Sequence, residues 1–245
     1  MSNTTVQSGS TPAAKSLISR FIGIITAPRA TFESVAAVPK WFGMLVLTTL
    51  IVAAGSALPL TTEGGRDALL EQQVRAMEGF GMQVNDQMYQ QLQKRNAIAP
   101  YTTAGSVIVM SPIIVAVLAG ILFAIFNAVM GGTASFKQVY AVVVHAGVIQ
   151  ALAQLFVGPL NYFRQSMTSA TSVGALLPML PEGSFVARLA GMIDLFLIWW
   201  VLALAIGLGV LYRRRTQPIA LSLFGVYALI AVGAAEIMSR LGGTH

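Results

Sequence analysis

Two carboxylates and one imidazole stand inside long apolar runs of this chain: Asp194, Glu236 and His145. A charged side chain at mid-membrane costs roughly 2.5 to 3.5 kcal/mol on insertion scales, so each acid calls for a reason. Read as membrane spans, the runs put both acids about one turn below the same face. Two carboxylates at one depth can share a proton, hold a cation or form a relay, because like charges held close invite a bridging ion. The plainer use is local pairing, Glu236 with Arg240 four residues on and Asp194 with Arg188. His145 has no second His or Cys nearby and makes no usual zinc site; bonding a carbonyl or side chain of a neighbouring helix is its simpler use.

Gln150 and Gln154 add polar groups to the same region. With Gly147, Ala151, Gly158 and Asn161 they fall on one helical face. Small residues admit close backbone approach and amides bond across helices, so this is either the packing face of a bundle or the lining of a polar path. The absence of cysteine excludes disulfides, thiolate metal sites and a Cys nucleophile. Gly64-Gly65-Arg66 and Gly131-Gly132-Thr133 lack the lysine and strand context of a phosphate loop, and Gly-x-Ser-x-Gly does not occur. The expectation is a protein that is not an enzyme, with no catalytic residue, no cofactor and no metal.

The elements that must position these residues are membrane helices. Of 245 residues 56% are hydrophobic and 10% charged, where a soluble domain carries about 25% charged. Asking for roughly 17 to 25 mostly apolar residues yields five spans, at 41–60, 103–130, 139–160, 189–212 and 219–238. Pro112 should kink the second. Ser222, Gly225, Leu229 and Gly233 on the fifth are expected to face small residues of the fourth, leaving Phe196, Trp200 and Leu204 toward lipid. The fold class is all-α, a polytopic bundle of five transmembrane helices.

Residues 1–14 are polar and rich in Ser and Thr, and read as a disordered tail rather than a cleaved leader. Then Leu17, Ile18, Phe21, Ile24 and Ile25 recur at helical spacing beside Lys15 and Arg20. This predicts an amphipathic helix at the interface, with a second from Pro28 toward Pro39. Phe21, Phe32 and Trp41 are the candidate interfacial anchors. The segment 61–100 repeats apolar residues at three and four with a break at Gly79-Phe80-Gly81, and predicts an outer amphipathic helical hairpin. The net charge of +6 is explained by topology rather than nucleic acid, since Lys137 and Arg213 to Arg215 fall in short loops. A cytoplasmic N-terminus and an external C-terminus follow.

Arg20-Phe21-Ile22-Gly23-Ile24-Ile25, then Pro28 and Thr31-Phe32, resemble the opening segment of bacterial Yip1-domain proteins. The run from Gly131-Gly132 through Phe136 to Tyr140 is similar to that family's inner loop, and Trp199-Trp200 followed by Gly207-Leu208 and a basic turn to its fourth span. His145-Ala146-Gly147 departs from the family's frequent Gly-Tyr and later Pro. The resemblance covers residues 17 to 240 and implies a single Yip1-like membrane domain, 15–240, in a bacterial cytoplasmic membrane. It implies a scaffold or membrane-organising, trafficking-type factor whose partners are the lipid bilayer and other membrane proteins or further copies of itself, with no nucleic acid. The alternative is a small transporter or ion channel using Asp194 and Glu236.

Overall fold

A computed structural model describes residues 16–167, 170–177, 179 and 184–241, of which 238–241 through the backbone alone. The tail expected at 1–14 lies outside the described residues. The chain is helical throughout these residues: α1 (Leu17–Thr26), α2 (Pro28–Ala37), α3 (Phe42–Ala57), α4 (Glu63–Gly79), α5 (Asp86–Asn96), α6 (Ala99–Phe123), α7 (Phe136–Ala146), α8 (Val148–Arg164), α9 (Val173–Leu176), α10 (Phe185–Met192), α11 (Leu195–Leu211) and α12 (Thr216–Leu241). A single isolated bridge, Ser172 with Asp194, is the only β pairing among them.

Three helical stretches are long and apolar enough to cross a membrane: Ala99–Val129, Phe136–Arg164 and Thr216–Ile237. The first is α6 prolonged by a π-helical turn, Ala124–Val129, and it carries Pro112 in its interior. The second is α7 and α8 joined through Gly147. The apolar helices α3 and α11 are shorter, at 16 and 17 residues. The fourth span expected at 189–212 is not one helix. Met192 ends α10, Ile193 and Asp194 are extended, and α11 begins at Leu195. Asp and its neighbours favour caps over helix interiors because the carboxylate competes for backbone N–H groups, and here that competition wins.

The bundle is organised around α7. All residues from Val139 to Ala146 are buried, which a helix achieves only when neighbours enclose it on every side. Those neighbours are α2, α3, α6 and α11. Its start is set by a capping box: Ser135 accepts from Gln138 N, and Gln138 Oε1 accepts from Ser135 N at 2.9 Å. Gln138 then donates through Nε2 to Ala36 O at 3.0 Å, tying the end of α2 to the same turn.

Glycines set how closely the helices approach. A Cβ on Gly158 of α8 would lie 2.6 Å from Gly55 O of α3, so these two backbones touch. A Cβ on Gly207 of α11 would lie 2.6 Å from Val142 Cγ1 and 2.9 Å from the Phe32 ring. Phe32 therefore plugs a notch between α7 and α11, and α1 and α2 dock as a hairpin rather than lying loose. Ile24, Phe32 and Val35 are fully buried, while Ile18 and Ile22 face outward.

The small-residue face expected on the fifth span does not face the fourth. Leu229 is 76% exposed and nothing lies within 4 Å of a Cβ built on Gly225 or Gly233, whereas Leu204 is buried in the core. Small residues permit close packing without requiring it, and here α12 turns Ile219, Ala220, Ala231 and Ala235 inward instead. Between α3 and α6, α4 and α5 pack on each other around Gly81, whose φ of 77° only glycine adopts easily.

Gly207→Ala should drive the Phe32 ring out of its notch and cost about 1 to 3 kcal/mol. Urea unfolding in detergent micelles, read by tryptophan fluorescence, measures this. Adding Phe32→Leu should restore part of the loss if the clash is with that ring.

Candidate functional site

At the end of the bundle opposite the α1–α2 hairpin lies a cavity of about 450 Å³ whose mainly apolar wall carries a set of polar side chains. From α8 come Gln150, Gln154 and Asn161, spaced by four and seven so that one face presents them together. Ser56 of α3, Thr103 of α6, Thr171 of the connection after α8, and Asp194 complete the polar lining. Gly55 lets α3 close against this face, since a Cβ there would meet Gln154 at 2.8 Å.

Asp194 is the best-held group in the cavity. As N-cap of α11 it accepts through Oδ1 from Phe196 N at 2.8 Å and Leu197 N at 3.2 Å. Its Oδ2 accepts from the Thr171 hydroxyl at 2.5 Å. Val173 N donates to Ile193 O and Leu195 N to Thr171 O, which pins the connection beside the cap. The carboxylate thus neutralises the positive end of α11 and satisfies donors that would otherwise be orphaned in an apolar setting. Nη1 of Arg188, the cation expected to pair with it, is buried without a hydrogen-bond partner. Asn161 is buried and leaves Oδ1 unpartnered.

The other expected residues lie elsewhere. Glu236 is exposed on α12 and does not line this cavity. Tyr227, whose hydroxyl donates to Met192 O, is the α12 residue level with Asp194; Glu236 is nine residues further, about 13 Å along the helix. The matched depth expected of the two acids is not found, because α11 starts at Asp194 while α12 continues well past it. The side chain of Arg240 lies outside the described residues.

His145 is fully buried in the last turn of α7 and is not part of the cavity. Its Nδ1 lies 2.7 Å from Ala141 O, an acceptor, so Nδ1 carries the proton and Nε2 is left as a buried acceptor without a partner. Of the expected interfacial anchors, Phe21 and Trp41 are half-buried at the rim of the core, Trp41 lying edge-on to Tyr140 with ring centroids 5.0 Å apart. Phe32 is a core residue instead, because the Gly207 notch accepts its ring.

Sequence reasoning missed Thr171, Thr103 and Tyr227. Thr171 sits in a connection without periodicity, and only its place before Ser172, itself the N-cap of α9, signals a turn. The arrangement can hold water or a small polar solute by hydrogen bonds. It brings Asp194, Gln150 and Gln154 together and leaves Glu236 and His145 apart.

The family model for the Yip1 domain matches residues 22–237. The chain is 22% identical over 225 residues to the membrane protein YknW of Bacillus subtilis (strain 168), covering 90% of this chain and 91% of that one. No solved structure matches.

Asp194→Ala should cost about 0.5 to 2 kcal/mol in micellar unfolding through loss of the α11 cap, whereas Asp194→Asn, which keeps an acceptor at Oδ1, should cost a few tenths. An Asn variant as unstable as the Ala variant would mean that the charge rather than the cap is what matters.

Proposed function

Because the chain belongs to the Yip1 family of membrane proteins, we propose that it is a non-enzymatic, multi-pass scaffold or membrane-organising factor, acting through helix packing and the α1–α2 hairpin. One observation carries this reading. Phe32 locks the hairpin to α7 and α11 while Ile18 and Ile22 stay exposed on its outer side, which gives a rigid apolar surface for lipid or for a membrane partner. Of the polar groups singled out by type, Asp194 caps α11 and His145 is packed in the core.

The same reading extends to topology. Five crossings are the three long stretches together with α3 and α11, whose rise of about 24 and 26 Å suits a locally thinned bilayer. A cytoplasmic N-terminus is supported by the gathering of Arg20, Arg29, Lys40, Lys137 and Arg213 to Arg215 on segments at one end of the bundle. On this view α4 and α5 form an outer hairpin, and 15–240 act as one membrane domain in a bacterial cytoplasmic membrane. Partners are other membrane proteins or further copies of the chain.

A transporter or channel is the second reading, favoured by the polar cavity that joins Asp194 with Gln150 and Gln154. The hydrogen bonds already drawn by Asp194, and the distance of Glu236 from it, weigh toward the scaffold.

Two measurements test these readings. In proteoliposomes the chain should conduct no more protons or cations than empty vesicles; a flux abolished by Asp194→Asn with Glu236→Gln, in a variant that still folds, would sink the scaffold. For topology, an impermeant thiol label applied from outside should reach Gln90→Cys and not Thr216→Cys, with the cysteine-free chain as blank. The reverse pattern would invert the orientation.

A further inference from the structure

Two hollows meet at the end of the bundle that carries α2 and the turns after α6 and α11. One, of about 490 Å³, is polar: Arg29 and Glu33 of α2 face Arg213, Arg214, Arg215 and Thr216. Four arginines against one acid make it positive, and that acid is drawn to Arg29 at 3.5 Å. The other, of about 450 Å³, is a groove between the end of α6 and the start of α12, walled by Leu122, Phe126, Ile219, Leu223 and Val226. Arg214 and Arg215 line both.

The junction is braced. Tyr212 stacks on Phe126 with ring centroids 4.8 Å apart and donates to Asn127 Oδ1 at 2.8 Å. Asn127 donates through Nδ2 to Ala134 O at 2.6 Å, and Arg214 donates to Met130 O at 3.0 Å. A Cβ on Gly132 would lie 2.5 Å from the Tyr212 ring, so the two turns close on each other. The turn that carries the arginines is therefore fixed beside the groove, with Arg214 tied to it directly and Arg215 next to it.

We propose that these hollows form one binding site for an anionic glycerophospholipid, its phosphate among Arg29, Arg214 and Arg215 and an acyl chain along the apolar groove. The order of charge and apolar surface matches that of the ligand from head to tail, and basic pockets between membrane helices favour such head groups. A soluble phosphate compound would use the polar hollow and leave the groove empty. A second copy of the chain would have to bring acids to the arginines, yet Glu63, Asp67, Glu71 and Glu78 lie on α4, away from this end. This inference goes beyond the scaffold reading and stands without it.

Native mass spectrometry of the full chain, titrated with phosphatidylglycerol or phosphatidylcholine of the same acyl chains, tests it. The native chain should retain phosphatidylglycerol preferentially, and Arg214→Gln and Arg215→Gln should each weaken retention about fivefold. Ser222→Trp, which fills the groove, should reduce retention of both lipids. Arg214 also braces the turn, so Arg215→Gln is the decisive variant, with its thermal melt as control. Equal retention of the two lipids, unchanged by Arg215→Gln, overturns the proposal. So does displacement of phosphatidylglycerol by inorganic phosphate, which would mark a soluble-anion site. A change of oligomeric mass on Ser222→Trp with lipid retention intact overturns it as well, the groove then belonging to a second copy.

Discussion

The burial of α7 on every side is the constraint from which the rest of the structure follows. Val139 to Ala146 have no exposed face, so one helix must be surrounded where most membrane helices need cover on one or two sides only. The helices α3, α6 and α11 supply part of that enclosure, and the remaining gap falls toward the start of α7. There α2 closes it, with Phe32 in the Gly207 notch and Gln138 bonded to Ala36 O. The hairpin is thus part of the bundle's interior, and its outer residues Ile18 and Ile22 are positioned by packing rather than by lipid.

Enclosure makes every interrupted backbone group a problem, because an unpaired donor or acceptor away from water is costly. The chain answers with side chains close in sequence. Asp194 takes the first donors of α11, Ser135 and Gln138 those of α7, and Asn127 spans the turn after the π-helical end of α6. At the far end of α11, Arg213 adopts φ 52°, and Arg214 N bonds back to Gly209 O at 2.8 Å in a Schellman-type closure. Of the polar residues in apolar runs that could offer chemistry, Asp194 is here used to start a helix.

This explains which features were legible in the sequence. The long apolar stretches, the helices before the first span and the break at residues 79–81 follow from length, period and punctuation, which are local properties. The polar face of Gln150, Gln154 and Asn161 was legible for the same reason, as spacing on one helix. What was not legible depends on contacts between elements. Whether an acid in an apolar run is mid-helix or a cap turns on where the backbone leaves the helix, and hydropathy does not register two extended residues at 193 and 194. Which face of α12 points inward depends on its contacts with α10 and α11, so the stripe through Gly225 and Leu229 faces outward while Ala231 and Ala235 are buried. Thr171 entered the site through a turn that has no period at all.

The two ends of the bundle are built on different principles. At the end with Asp194 the cavity is lined by apolar side chains with a few neutral amides and hydroxyls, and the one carboxylate is satisfied by a helix terminus and a threonine. Such a lining is closed on itself electrostatically and exerts little attraction at a distance. At the opposite end Arg29 and Arg213 to Arg215 share a hollow with a single acid, and an aromatic clamp through Tyr212, Phe126 and Asn127 fixes the turn that carries the last three. These arginines are exposed, so their field is screened beyond about 10 Å and acts on groups that come up against the hollow. A membrane protein whose partners are chosen by charge would choose them at this second end, where Phe32 of α2 sits in the Gly207 notch of α11 and α12 packs on α11.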